Sequence, residues 1–307
     1  MSRIHDALKK AEQERAASQS GVAQPNLVTT RGVDEQESAD AQRTPGGAAN
    51  IGMPAFVSPF GVDTLMSRSA QVEWKPDSTT MLFLNGDDGA QGTEEFRTLR
   101  SRLYHLRESM PLKKILVTSA LPKEGKSFTA SNLAQVMVRQ HGRRALLIDA
   151  DLRAPRLHLM LGTGPDPGLS EYLQGKNDEF SIMQRGSLEN LFFIPCGARV
   201  ADPAELVGNG RMKLLLQRVE SLFDWIIVDS PPAVPVSDAS VLAKACDGVL
   251  MVVRSNSTPF DVARKAREQF PEQSLVGVVL NGTHESAAPY ARYYYESYQK
   301  QGTATKA

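Results

Sequence analysis

The chain has 307 residues, a 41% hydrophobic fraction and 35 basic against 35 acidic side chains, so its formal net charge is zero. That is enough apolar material for a sizeable core, and the charge balance excludes a generally basic nucleic-acid-binding or membrane-surface protein. The 2 cysteines, Cys196 and Cys246, lie in or beside apolar segments without zinc or redox spacing, which reads as free thiols in a reducing compartment.

The first residues, MSRIHDALKKAEQERAA, are charged and lack the apolar core of a signal peptide. No apolar run approaches the ~20 residues of a membrane span. The expectation is a cytoplasmic protein without direct membrane insertion, reaching the inner membrane only through a partner. Within residues 1–18, Ile4, Leu8 and Ala11 fall at helical spacing. They predict an amphipathic helix, either solvated or docking into a partner's groove. Residues 19–78 are rich in Ala, Gly, Ser, Gln and Pro, without periodicity, and predict a disordered linker. The slightly more apolar patch at 53–66 is its one place for local docking.

Residues 79–288 change character. Apolar β-rich runs occur at 113–119, 144–150, 190–195, 224–230, 248–255 and 274–282, with helical patterns at 125–140, 203–223, 237–245 and 259–270 between them. Continuous apolar runs suit strands buried on both faces, and strand–helix alternation predicts a parallel sheet covered by helices, an α/β/α sandwich of three layers. Residues 289–307 form a polar tail holding five of the chain's 7 tyrosines: Tyr290, Tyr293, Tyr294, Tyr295 and Tyr298.

Ligands of such sheets bind at the carboxyl ends of the strands, and the motifs fall there. After the run at 113–119, residues 120–127 match G-x-x-x-x-G-K-[ST] at Gly125, Lys126 and Ser127, with Ala120 in place of the first glycine. Gly125 permits the turn that aims backbone N–H groups at a polyphosphate. Lys126 supplies charge to the β- and γ-phosphates, and the Ser127 hydroxyl binds Mg²⁺. Asp229 closes the run at 224–230, as an aspartate holding Mg²⁺ should. Asp149 and Asp151 close the run at 144–150, followed by Arg153. In an extended segment residues 149, 151 and 153 point to one side, so two carboxylates and a guanidinium are expected over the phosphate loop. Close carboxylates need a cation, which Mg²⁺ on ATP supplies.

These motifs resemble the bacterial tyrosine kinases of exopolysaccharide and capsule synthesis, a branch of the P-loop ATPases. The family's degenerate loop is matched by Pro122, Glu124, Gly125, Lys126 and Ser127. Its second motif, three apolar residues then D-x-D-x-R, is matched by Leu146, Leu147, Ile148, Asp149, Asp151 and Arg153. Asp229, Pro231 and Pro232 match its D-x-P-P strand end, and the tyrosine tail its C-terminus. Lys123 stands where the family often has glycine.

The resemblance implies a P-loop NTPase-type fold and a tyrosine autokinase that uses ATP and Mg²⁺. Residues 122–128 (Pro122, Lys123, Glu124, Gly125, Lys126, Ser127, Phe128) and Asn281 would bind nucleotide, with Asn281 at adenine. Ser127, Asp149 and Asp229 would hold the metal, and Arg153 would support the site. Asp151 is preferred for orienting or deprotonating the tyrosine hydroxyl, with Asp149 as the alternative. Glu94, Arg97 and Arg100 match a helical stripe that joins subunits into a ring. A membrane polysaccharide co-polymerase as activator and a tyrosine phosphatase are the implied partners, with no nucleic acid. Two other readings share the fold: a positioning ATPase of the partition or division-site type, whose extra lysine is absent at Leu121, and a nucleotide-binding scaffold without catalysis.

Overall fold

The computed structural model describes residues 61–83 and 92–283. The expected helix within 1–18, the linker as far as residue 60 and the tail with Tyr290, Tyr293, Tyr294, Tyr295 and Tyr298 lie outside the described residues.

In chain order the elements are α1 (Val62–Arg68), β1 (Ala70–Gln71), α2 (Thr93–Ser109), β2 (Lys114–Ser119), α3 (Lys126–Val138), β3 (Ala145–Asp149), α4 (Leu157–Leu161), α5 (Leu169–Leu173), β4 (Gln184–Arg185), β5 (Leu191–Ile194), α6 (Pro203–Gly208), α7 (Arg211–Val219), β6 (Trp225–Asp229), α8 (Asp238–Ala243), β7 (Gly248–Arg254), α9 (Phe260–Arg267) and β8 (Leu275–Asn281). The strands form one sheet in the order β1-β4-β5-β3-β6-β2-β7-β8. From β5 to β8 the pairings are parallel, while β4 runs antiparallel to β5 and carries β1 with it. The six long strands occupy the six predicted runs.

Every residue of β3 and β6 is buried. Leu146, Ile148, Ile226 and Val228 face one apolar layer, and Leu147, Ile227, Ile115 and Val117 face the other. Each such side chain contributes roughly 1.5–3 kcal/mol on full burial, which is why these runs tolerate no polar alternation. Helix α3 is buried at almost every position. It lies between the sheet and α2, whose Phe96 packs on Phe128 with ring centroids 5.9 Å apart. A helix covered on both sides needs no polar face. The predicted helical stretch at 203–223 is broken into α6 and α7 by Gly210, which sits at φ +82.

The linker expectation fails over 61–78. Leu65 is fully buried and Trp74 is 5% exposed. The Trp74 ring meets Phe193 edge-on at 6.4 Å, and the amides of Ala70 and Val72 donate to Met183 and Arg185 at 2.9 Å. Composition averaged over sixty residues hides two large anchors, yet those anchors offset the ordering cost of the segment. Of the proposed ring stripe, Glu94 is exposed and paired with Arg97, whereas Arg100 turns inward and donates to the Val136 carbonyl at 3.0 Å, holding the end of α3. No described helix is long and apolar enough to cross a membrane.

Candidate active site

Strand β2 delivers the chain into a tight loop at the carboxyl edge of the sheet, and the loop delivers it into α3. Gly125, at φ +97, makes the turn; a Cβ there would lie 2.0 Å from Asn281 Nδ2. Lys123 is also left-handed, at φ 66, a conformation that costs a side-chain-bearing residue about 1–2 kcal/mol. Ala120 needs no such freedom, and its buried methyl packs in the core.

Three distant residues hold the loop from outside. The buried Glu124 carboxylate accepts from the Leu121 amide at 2.8 Å and from the Thr258 hydroxyl. Arg254, ending β7, donates to the Lys123 carbonyl at 3.1 Å. Asn281, ending β8, donates to the Glu124 carbonyl at 2.9 Å. The Glu124 carboxylate and the Asn281 side-chain amide N–H are thus engaged in shaping the loop, while Asn281 Oδ1 accepts from the Gly282 amide at 2.9 Å. Sequence reading assigned both to nucleotide and missed Thr258 and Arg254.

Inside the loop, Lys126 Nζ lies 2.7 Å from Asp151 Oδ2 and 3.6 Å from Asp229 Oδ2. It also donates to Ser127 Oγ at 3.2 Å. Ser127 in turn donates to Asp229 Oδ2 at 2.5 Å, the short contact expected of a hydroxyl on a carboxylate. The other oxygen, Asp229 Oδ1, is buried with no hydrogen-bond partner among the described residues. Asp149 and Asp229 are direct neighbours in the register of β3 and β6. Burial, and then repulsion from Asp229, push Asp149 up to about 8. Burial also raises Asp229, to about 6, although Lys126 and Ser127 pull it down. Burial works against the Lys126 charge too, but Asp229 and Asp151 outweigh it and hold its pKa above the ordinary value. Three buried carboxylates with one ammonium leave negative charge uncompensated. Hard oxygen donors and an unpartnered Asp229 Oδ1 beside Ser127 fit Mg²⁺.

The expected convergence of residues 149, 151 and 153 does not occur. The strand ends at Asp149, so the two-residue period stops there. Asp149 accepts from the amides of Asp151 at 3.3 Å and Leu157 at 3.1 Å. Its oxygen, a His158 nitrogen and the Cys196 sulfur lie within 4.8 Å of one another. Asp151 reaches Lys126, with its other oxygen taking the Ala154 amide at 3.0 Å. Arg153 swings to Asp238, which it grips at 2.8 and 3.0 Å. Asp238, the first residue of α8, carried no motif and was not foreseen.

The site opens into a cleft of about 620 Å³ that takes in Pro122, Lys123, Gly125, Lys126, Ser127, Phe128, Asp151 and Arg153. Asp149, Asp229 and Asn281 are not among its lining residues. So the structure brings Lys126, Ser127, Asp151 and Asp229 together, and sets Arg153 on the rim.

A family profile described as an AAA domain matches residues 113–261. The chain is 34% identical over 204 residues to "Tyrosine-protein kinase YwqD" of Bacillus subtilis, covering 66% of this chain and 86% of that protein. It is 34% identical over 208 residues to "Tyrosine-protein kinase CpsD" of Streptococcus agalactiae, covering 66% and 90%. Among solved structures, "The kinase domain of Escherichia coli tyrosine kinase ETK" superposes with a TM-score of 0.62 at 31% identity, over 66% of this chain and 80% of that one.

Proposed function

The chain belongs to the bacterial tyrosine-protein kinases, and from that premise we propose that it transfers the γ-phosphoryl group of ATP to tyrosines of its own C-terminal cluster, presented by a neighbouring subunit. The observation that carries this reading is the buried knot of Lys126, Ser127, Asp151 and Asp229 beneath an open cleft. Lys126 would meet the β- and γ-phosphates. Ser127 and Asp229 Oδ1 would hold Mg²⁺, with Asp149 close by releasing its proton as the ion binds. The bound ion would neutralise charge on the phosphates.

Of the two candidate carboxylates, Asp151 lines the cleft, while Asp149 does not and is tied to two amides. This supports Asp151 as the group that orients the acceptor hydroxyl and takes its proton. A phenol of pKa near ~10 needs that help at neutral pH. As the tyrosine oxygen bonds to phosphorus, the bond to the β-phosphate oxygen breaks and ADP leaves.

Each phosphotyrosine adds about −1.5 to −2 charge. Several on one tail would repel the acidic site and loosen a ring of subunits, regulating polysaccharide polymerisation and export. A membrane co-polymerase as activator brings the cytoplasmic enzyme to the inner membrane, and a tyrosine phosphatase resets the tail. Blotting for phosphotyrosine after incubation with Mg·ATP should label the wild type and not Lys126→Met. ATP hydrolysis without tyrosine labelling would overturn the reading. Mixing Lys126→Met, tail intact, with an active chain whose five tail tyrosines are phenylalanine should label the former; a blank mixture would exclude transfer between subunits. ATP should dissociate the wild-type oligomer and not the five-phenylalanine chain.

A further inference from the structure

The phosphate knot occupies one side of the cleft. The cleft wall also includes Leu159, Met160, Pro235, Val236 and Arg156, together with Asp77, whose carboxylate accepts from the Thr79 amide and hydroxyl at 2.9 and 2.7 Å. Leu159 is 58% exposed despite being apolar. Arg156 is exposed, and among the described residues its guanidinium has no hydrogen-bond or ion-pair partner. Arg153, three residues earlier, is by contrast fully engaged with Asp238.

We propose that this wall is the acceptor subsite, and that Arg156 binds Glu296 in the tail of a second copy of the chain. The proposal rests on the kinase reading above and names the contact that selects the acceptor. A phenol ring has an apolar body and a polar tip. It fits a cleft lined by leucine, methionine, proline and valine as well as by the Asp151 carboxylate. Between Tyr290 and Tyr298 the sole acidic residue is Glu296. In an extended peptide, residues two apart share a side, so Tyr294 and Tyr298 each point with Glu296. Either ring enters the cleft while the Glu296 carboxylate faces the rim. Charge complementarity of this sort selects partner and register, and is read most cleanly by reversing both charges.

The test uses the full chain with its five tail tyrosines changed to phenylalanine as enzyme, and a peptide of residues 284–307 as acceptor. Arg156→Glu should raise the peptide KM ~10-fold, with the ATP KM unchanged and Arg156→Lys nearly normal. A peptide carrying Glu296→Lys should show the same rise with the unreversed enzyme. Combining the two reversals should return the KM to within ~3-fold of the starting pair. If the combination is no better than either single reversal, or neither reversal moves the peptide KM, the pairing is wrong. If the enzyme labels tyrosine on neither peptide, the kinase reading itself falls, and the pairing with it.

Discussion

The floor and the outer wall of the cleft are made of different material. On the floor, Lys126, Ser127, Asp151 and Asp229 are no more than 9% exposed, and they come from the first turn of α3, from just past β3 and from the end of β6. On the wall, Arg153, Arg156 and Leu159 are exposed and come from a loop and the five-residue α4. Floor side chains fix one another by charge, so moving one disturbs the rest. Wall side chains are nearly independent. Phosphoryl transfer demands preorganised charge, whereas the proposed acceptor, with Tyr294 and Tyr298 on either side of Glu296, demands a surface that admits either ring. The division predicts that floor substitutions act on kcat and wall substitutions on acceptor KM.

The largest expected effect is on the floor. Lys126→Met should lower tyrosine labelling by ~10³-fold or more. Asp151→Asn should lower kcat by ~10²-fold with little change in the ATP KM. A purely acceptor-KM effect at either position, read by steady-state kinetics, would erase the distinction between floor and wall.

Asp149 sharpens the comparison because its burial costs stability. Its folded pKa of about 8 lies above the ordinary 3.8. Between those values the folded chain holds a proton that the unfolded chain has released, so stability falls as pH rises through that window. The metal-free protein should therefore melt lower at pH 8 than at pH 6. Asp149→Asn should flatten that dependence and raise the melting temperature at pH 8, while Mg²⁺ should recover less stability in the variant than in the wild type. Equal slopes in both proteins would refute the assignment.

At the junction of floor and wall, Arg153→Ala strands the Asp238 carboxylate, whose side chain is 1% exposed. It should cost about 1–2 kcal/mol, discounted for the partial exposure of Arg153, or about 3–6 °C in melting temperature. Asp238→Asn should cost less, because it leaves no buried charge unpaired. The reverse order in a thermal scan would mean that Arg153 answers to another group. The smallest effect belongs to Lys123→Gly. Relief of left-handed strain and the extra freedom of unfolded glycine nearly cancel, so the melting temperature should move by under ~2 °C.

The six long strands were legible because each is a continuous apolar run, and Gly125–Ser127 because a strand and a helix flank it. What was hidden depends on packing across the chain. Strands β1 and β4 have two residues each, too few for any period to show. Thr258 reaches Glu124 across 134 residues, and no local pattern announces such a contact. The course of Arg153 was misread because alternation was extended past the point where β3 stops. Asn281 was noticed at the right strand end, yet its side chain supports the loop backbone.

That last contact also sets where mechanical load enters the protein. The chain leaves the sheet at Asn281, whose side chain grips the carbonyl just before Gly125. A pull on the segment beyond residue 283 is borne first by the ladder between β8 and β7 and by this single bond to the phosphate loop. A neighbour that captures the tail thus takes hold of a tether whose anchor is the nucleotide cradle itself.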